Sequence, residues 1–374
     1  MTVLNSLNPN AFLRGFQLTF LGTYRAIQNP SLFTTEHYRL AFRFFILGLA
    51  LYILIEIPIL GLRNFVWLTS WFVDLDKYGW DESLLSWLGF VEKEVLQVGF
   101  EAMMVWKYVD PAPTDELFMT SLKWVDKTYT TKHSNEDPNT LRPPYHTSLT
   151  LYPPRTQRTR THLLTFLQRR AKRMAIGLAV FSAAQTPLIG SYAVPLATIY
   201  GLHRTLGPAR AGIFAGVLWC LPKSYAVIAY QGYFASRILV NDLLSPYFTR
   251  IPFTAAQKRK WFREREGVLA GFGVGWYLLT RIPVWGVLFL GLAEGSAAFL
   301  LTKVTDAPPM PHVAPGKEVG DVPMEGEKRV ETDERVREYC EREVGWRNRK
   351  KFLGLGLGDL LKGDLGMEKT AKAE

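Results

Sequence analysis

The chain reads as an all-α integral membrane protein built from proline-broken helical hairpins. Three observations predict this. Charged residues make up only 21% of its 374 residues, while 48% are hydrophobic and 13% aromatic, a balance unusual for a water-exposed globule of this length. Long apolar regions recur along the chain. Three of them carry one motif, polar-x-Pro-x-x-Gly: "EIPILG" at Glu56–Gly61, "QTPLIG" at Gln185–Gly190 and "RIPVWG" at Arg281–Gly286.

The arms on either side of each proline run about 13–19 residues, against the roughly 20 apolar residues that a straight span of the hydrocarbon needs. Two topologies follow. Each arm may be read as crossing, with its turn emerging on the far side, or each pair as a re-entrant hairpin turning inside the bilayer. Basic residues flank the outer ends of the pairs: Arg39 and Arg43 before the first, Arg173 and Arg204 around the second, and Arg265 and Lys303 around the fourth apolar region. That placement predicts that both ends lie on one face, with the basic side cytoplasmic. A turn buried in lipid must satisfy its backbone within the protein, so hairpins of this type have to pack together.

From the N-terminus, residues 1–40 form the first segment. "NPNAFLRGFQLTFLGTYRAIQ" predicts an interfacial amphipathic helix over 8–28, ended by "NPSLF". No basic leader or cleavage pattern marks a secretory signal, and the segment is too poor in Arg for a mitochondrial presequence. A membrane-embedded helical domain spans 41–306, with a polar loop and helix insertion at about 74–171. Within it, 86–108 and 114–126 read as amphipathic helices and 130–160 as a polar loop. The third apolar region, 211–221, stops at "LPKS" and is followed by an amphipathic continuation. The fourth runs from Gly267 to Thr302 and breaks at Arg281–Pro283. Residues 307–374 are predicted to be a polar, largely disordered tail with a short amphipathic end at "WRNRKKFL".

The turns assign Pro58, Gly61, Pro187, Gly190, Pro283 and Gly286 to backbone geometry. Gly267, Gly271 and Gly275 recur every fourth residue, which predicts a close helix–helix packing face. The polar residues before the prolines need a separate account. Glu56, Gln185 and Arg281 hold the same station, and Glu294 is a further ionisable group in apolar surroundings. Intramembrane charges are costly, so they should pair, face water or reach an interface. One reading is a polar site where broken helices meet. The other is a set of charges at the far interface or a fixed ion pair setting register. In either case Glu56 and Arg281 are expected to lie near each other.

The net charge of +10 is concentrated beside apolar runs, in the Arg155–Arg173 stretch and in "AQKRKWFRERE". This predicts a bilayer with anionic headgroups as the partner, in place of nucleic acid. A homo-oligomer or other membrane proteins are further candidate partners. Six scattered histidines form no metal spacing. A P-loop and a G-x-S-x-G elbow are both missing, so neither an enzyme activity nor a cofactor is expected. Cys220 and Cys340 lie in contrasting surroundings and predict no bridge.

Several blocks carry a resemblance: "NPNAFLRGFQLTFLGTYRAIQNPSLFT", "LFMTSLKWVDKTY", "YFASRILVNDLLSPYFTRIPFTAAQKRKWFREREG", "GFGVGWYLLTRIP" and "LAEGSAAFLLTKVTD". Through these the chain resembles the fungal UsgS-type transmembrane proteins over most of 8–306. More distantly, Gly22, Tyr24, Pro30, Leu32 and the Pro-broken pairs are similar to the etoposide-induced and CysZ-like membrane proteins. The nearer resemblance implies a multi-helix membrane protein with no catalytic residues to carry over. The distant one implies residence in the endoplasmic reticulum or a related endomembrane, lipid droplets included, and, on its bacterial side, anion uptake through half-penetrating helices. The functional expectation is a non-enzymatic endomembrane protein that organises membrane or serves trafficking or lipid biology. The alternative is a transporter or channel for a small anionic solute.

Overall fold

The computed structural model describes residues 9–33, 112–135, 141–154, 190–206, 208–280, 285–310 and 334–354. It also describes scattered positions between 42 and 68, between 168 and 183, and at 137 and 282. Among the described residues the fold is all-α, and no helix is long and apolar enough to cross a membrane.

The centre is built by α1 (Pro9–Ile27), α9 (Glu266–Thr280) and α10 (Trp285–Val304). The N-terminal helix forms where the sequence places it, but its inner face goes into the core. Ala11, Gly15, Thr19, Gly22 and Ala26 make a small-residue stripe that is buried along the whole helix. A Cβ built on Gly15 would lie 1.9 Å from the Val268 carbonyl oxygen, and one on Gly271 would lie 1.9 Å from that of Phe12. A Cβ on Gly275 would meet Thr19 Oγ1 at 2.4 Å, and one on Gly22 would meet Ser296 Oγ at 1.9 Å. Glycine is therefore required on both helices at this crossing, and the predicted packing face of Gly271 and Gly275 finds its mate in α1; Gly267 is buried at the start of the same helix. Thr19 uses the proximity to donate its hydroxyl to the Phe272 carbonyl at 3.2 Å. The outer face of α1 stays exposed, with Leu13, Phe20 and Tyr24 in the open.

Next to this core, α4 (Gly190–Leu206) and α5 (Pro208–Cys220) form an antiparallel hairpin. It packs on the first half of α6 (Lys223–Leu243) through Ala193, Leu218 and Ala226, and through Ala211 against Tyr233 and Phe234. The second half of α6 packs on α9, where a Cβ on Gly273 would sit 2.7 Å from the Ser236 carbonyl oxygen. "LPKS" separates α5 from α6, because Pro222 cannot donate and holds extended backbone at the α6 N-cap.

A polar side completes the fold. There, α2 (Ala112–Lys132) crosses α10, and α3 (Tyr145–Thr150) adds a short turn of helix inside the segment read as a loop. α7 (Ser245–Arg250) and α8 (Ala255–Glu264) follow α6. The α8 start is fixed by a capping box. The Gln257 amide donates to Thr254 Oγ1 at 3.2 Å, and the Thr254 amide donates to Gln257 Oε1 at 2.9 Å.

The C-terminal segment departs from the polar, largely disordered tail read in the sequence. Within it, α11 (Glu334–Glu343) and α12 (Arg349–Gly354) join the core. Val336, Tyr339, Cys340 and Glu343 recur at helical spacing and are all buried, and Phe352 is fully buried. The Asn10 side-chain amide donates to the Leu353 carbonyl at 3.0 Å, tying α12 to α1. Apart from Glu343, the charged residues of α11 lie on its outer face, so composition concealed the buried stripe.

Candidate functional site

The three motif stations come first. Glu56, Gln185 and Arg281, with Pro58, Pro187 and Pro283, lie outside the described residues, so the expected Glu56–Arg281 proximity lies outside them too. Their surroundings are described in part. Ile57, Leu60 and Gly61 are helical and exposed, which places Gly61 in a helix. Gly190 opens α4, and α9 ends at Thr280 before α10 begins at Trp285. The third motif thus coincides with a helix break, with Ile282 in a bend, and Gly286 falls in the first turn of α10, whereas the motif residues preceding Gly190 lie outside the described ones. Glu294 is 1% exposed in the middle of α10, between Ala293 and the close approach of Gly295 to Ser121 and Ala26.

Two polar constellations that the sequence reading missed stand out. One is a buried hub around Arg265, whose side chain is 1% exposed. Its Nε donates to the Val304 carbonyl at 2.6 Å, and Nη2 donates to Glu343 Oε1 at 2.7 Å and to the Glu343 carbonyl at 3.1 Å. The guanidinium lies 4.5 Å from the Trp261 ring centre, a cation–π contact. Beside it the Tyr247 and Tyr339 hydroxyls meet at 3.0 Å, and Tyr339 donates to the Asp306 carbonyl at 2.8 Å. Burial pushes both phenols well above their usual range. Burial also pushes the Glu343 carboxyl up to about 8, against the pull of Arg265. The hub joins the ends of α8 and α10 to α11, so its chemistry is that of a clamp. A second buried cation, Arg250, does the same on the α2 side, donating to Asp115 and to the Tyr152 carbonyl.

The second constellation is open to solvent. Arg237 Nη1 donates to Glu266 Oε1 at 3.0 Å and to the Tyr233 hydroxyl at 3.1 Å, and that hydroxyl donates to Glu266 Oε1 at 3.3 Å. Glu266 is nearly buried at the first position of α9, while Arg237 is 37% exposed. They border a recess of about 30 Å³ whose other lining is Ser236 and the apolar Val240, Phe262, Leu269 and Ala270. That volume holds one or two waters.

The hub had a signal in the sequence. Trp261 and Arg265 are four residues apart, and Glu343 extends the Val336–Tyr339–Cys340 stripe, so each charge occupies a register that an apolar stripe would fill. "AQKRKWFRERE" was read by its net charge, which conceals which of its charges point inward.

Among the described residues no grouping of His, Cys, Asp and Glu could hold a metal ion. Neither a family model, nor a curated protein, nor a solved structure matches the chain.

Proposed function

We propose that this is a non-enzymatic membrane-organising protein that embeds in one leaflet from its cytoplasmic side. The observation that carries the reading is a polarity along shared helices. Large apolar side chains are exposed at one end of the α4–α5–α6–α9 layer: Tyr192 and Leu196, Val217 and Trp219, Tyr225, and Leu278. Ionic groups occupy the other end of α6 and α9, at Arg237 and Glu266. From Glu266 to Leu278, as from Arg237 to Tyr225, a helix axis advances about 18 Å. One leaflet of hydrocarbon is about 15 Å deep. The apolar end therefore matches a leaflet in depth, and contiguous exposed apolar side chains mark interaction surfaces. Outward-facing Phe42, Ile46, Ile53, Ile57 and Leu68 extend the same character. The UsgS-type resemblance supports a membrane role, and the more distant etoposide-induced and CysZ-like likeness supports the endoplasmic reticulum or a related endomembrane.

The test is reconstitution of the full chain into phosphatidylcholine–phosphatidylserine vesicles, followed by an alkaline wash and flotation. Wild-type protein should float with the lipid, and V217E/W219E should be largely lost from the floating fraction while keeping its helical circular dichroism. Recovery of wild-type protein in the wash would overturn the reading. Cysteines placed at 59–61, 188–190 and 284–286 should resist a lumenal thiol reagent. Labelling there would show crossing arms. Charge-dependent sulfate flux through the same vesicles would favour the transporter reading, for which Glu56, Arg281 and Glu294 are the residues to neutralise.

A further inference from the structure

We infer that the Arg237–Glu266–Tyr233 recess is a binding site for the phosphodiester of a glycerophospholipid, one bound lipid seated at headgroup depth. The inference rests on the one-leaflet reading above and specifies what the protein holds there. The first argument is level. Glu266 and Arg237 mark the boundary between the ionic and the apolar ends of the same two helices, so the recess opens where phosphates lie if the apolar end fills a leaflet.

The second argument is the state of Arg237. Glu266 and Tyr233 both engage Nη1, which orients the guanidinium, and the side chain as a whole remains 37% exposed, so the Nε–Nη2 edge is the one not used by this pair. A planar fork held in this way presents paired donors, the geometry that phosphate oxygens accept in two parallel hydrogen bonds. Glu266 neutralises the resting site, which disfavours a small, highly charged anion. A singly charged diester brings less repulsion, and a zwitterionic headgroup brings none in net charge.

The third argument is the walls. A floor for one or two waters admits the oxygens of a phosphoryl group in their place. Val240, Phe262 and Leu269 then meet glycerol and the first acyl carbons, surface that inorganic phosphate cannot use. Lys258 packs over Phe248 and Phe262, with its ammonium 5.9 Å from the Phe262 ring centre, so a second cation lies beside the Phe262 wall.

The experiment uses the full chain in a non-ionic detergent, titrated by calorimetry with four probes: dihexanoylphosphatidylglycerol, dihexanoylphosphatidylcholine, dihexanoylglycerol and inorganic phosphate. Both phospholipids should bind in a saturable manner, inorganic phosphate at least about tenfold more weakly, and dihexanoylglycerol not measurably. Arg237→Gln should weaken the phospholipids by about tenfold or more, the scale of a lost charge-assisted hydrogen bond. Arg237→Lys should fall between, since it keeps the charge and loses the fork. Flotation of each variant with vesicles is measured in parallel. Variants that float normally and bind the phospholipids like wild type would overturn the site while leaving the one-leaflet reading intact. Inorganic phosphate binding as tightly as the lipids would overturn the lipid assignment and leave a free-anion site. Wild-type protein that fails to float would remove the premise itself.

Discussion

Gly271→Ala probes the crossing that organises the core. Its new Cβ would lie 1.9 Å from the Phe12 carbonyl oxygen and 2.9 Å from both the Phe12 carbonyl carbon and the Phe16 amide nitrogen. All three are backbone atoms of α1, so no side chain can swing aside. The helices must part by about 1.5 Å to restore ordinary contact, which opens the stripe on either side of the site. Overpacking of this kind costs about 1–3 kcal/mol. Replacing a mid-helix glycine by alanine returns about 1 kcal/mol of helix propensity. The net expectation is a loss of about 0–2 kcal/mol. Gly212→Ala is the matched control, because it too lies in a helix, and nothing stands within 4 Å of its Cβ. It should be neutral or gain up to about 1 kcal/mol. Urea unfolding in mild detergent, followed by circular dichroism, compares the two. If they agree within about 0.5 kcal/mol, the α1–α9 contact is not the close glycine crossing described above.

Two predictions concern the hub. Above about pH 8, where Glu343 carries its charge, Arg265→Met strands a buried carboxylate and should cost about 3–5 kcal/mol, whereas R265M/E343L should recover much of that loss; a double variant no more stable than the single would show that the pair is uncoupled. The Glu343 carboxyl titrates near 8 when folded, against 4.5 in its usual range. Between those values the folded state holds a proton that the unfolded chain has released. Stability should therefore be highest below pH 4.5 with respect to this group, and fall as pH rises through about 8. E343Q should flatten that slope, as read by urea midpoints across the range.

Much of the architecture was legible in the chain. The ends of α5, α9 and α10 fall where "LPKS" and the third motif place them, since proline removes a donor wherever it falls. The every-fourth glycines of α9 announced a close packing face, because a stripe without Cβ atoms allows only that use at low cost. The partner of that face was not legible. Ala11, Gly15, Thr19, Gly22 and Ala26 are spaced just as clearly, yet Phe12, Phe16 and Phe20 dominated the reading of the same helix and gave an interfacial surface. Both faces exist, and only the pairing of α1 with α9 shows which is inside. The tail shows the same division, since its charge said exposure while Val336, Tyr339 and Phe352 carried the contacts.

The sequence by itself determined helix limits such as the end of α5 at "LPKS" and the break between α9 and α10, because proline and apolar periodicity act locally; it did not determine α3, α11 or α12, and Pro195 sits inside α4 without ending it. The tertiary structure decided which charges are buried, because burial depends on what arrives from elsewhere in the chain. Arg265 becomes a clamp only when Glu343 reaches it from 78 residues away, and Arg237 becomes an oriented fork only when α9 brings up Glu266.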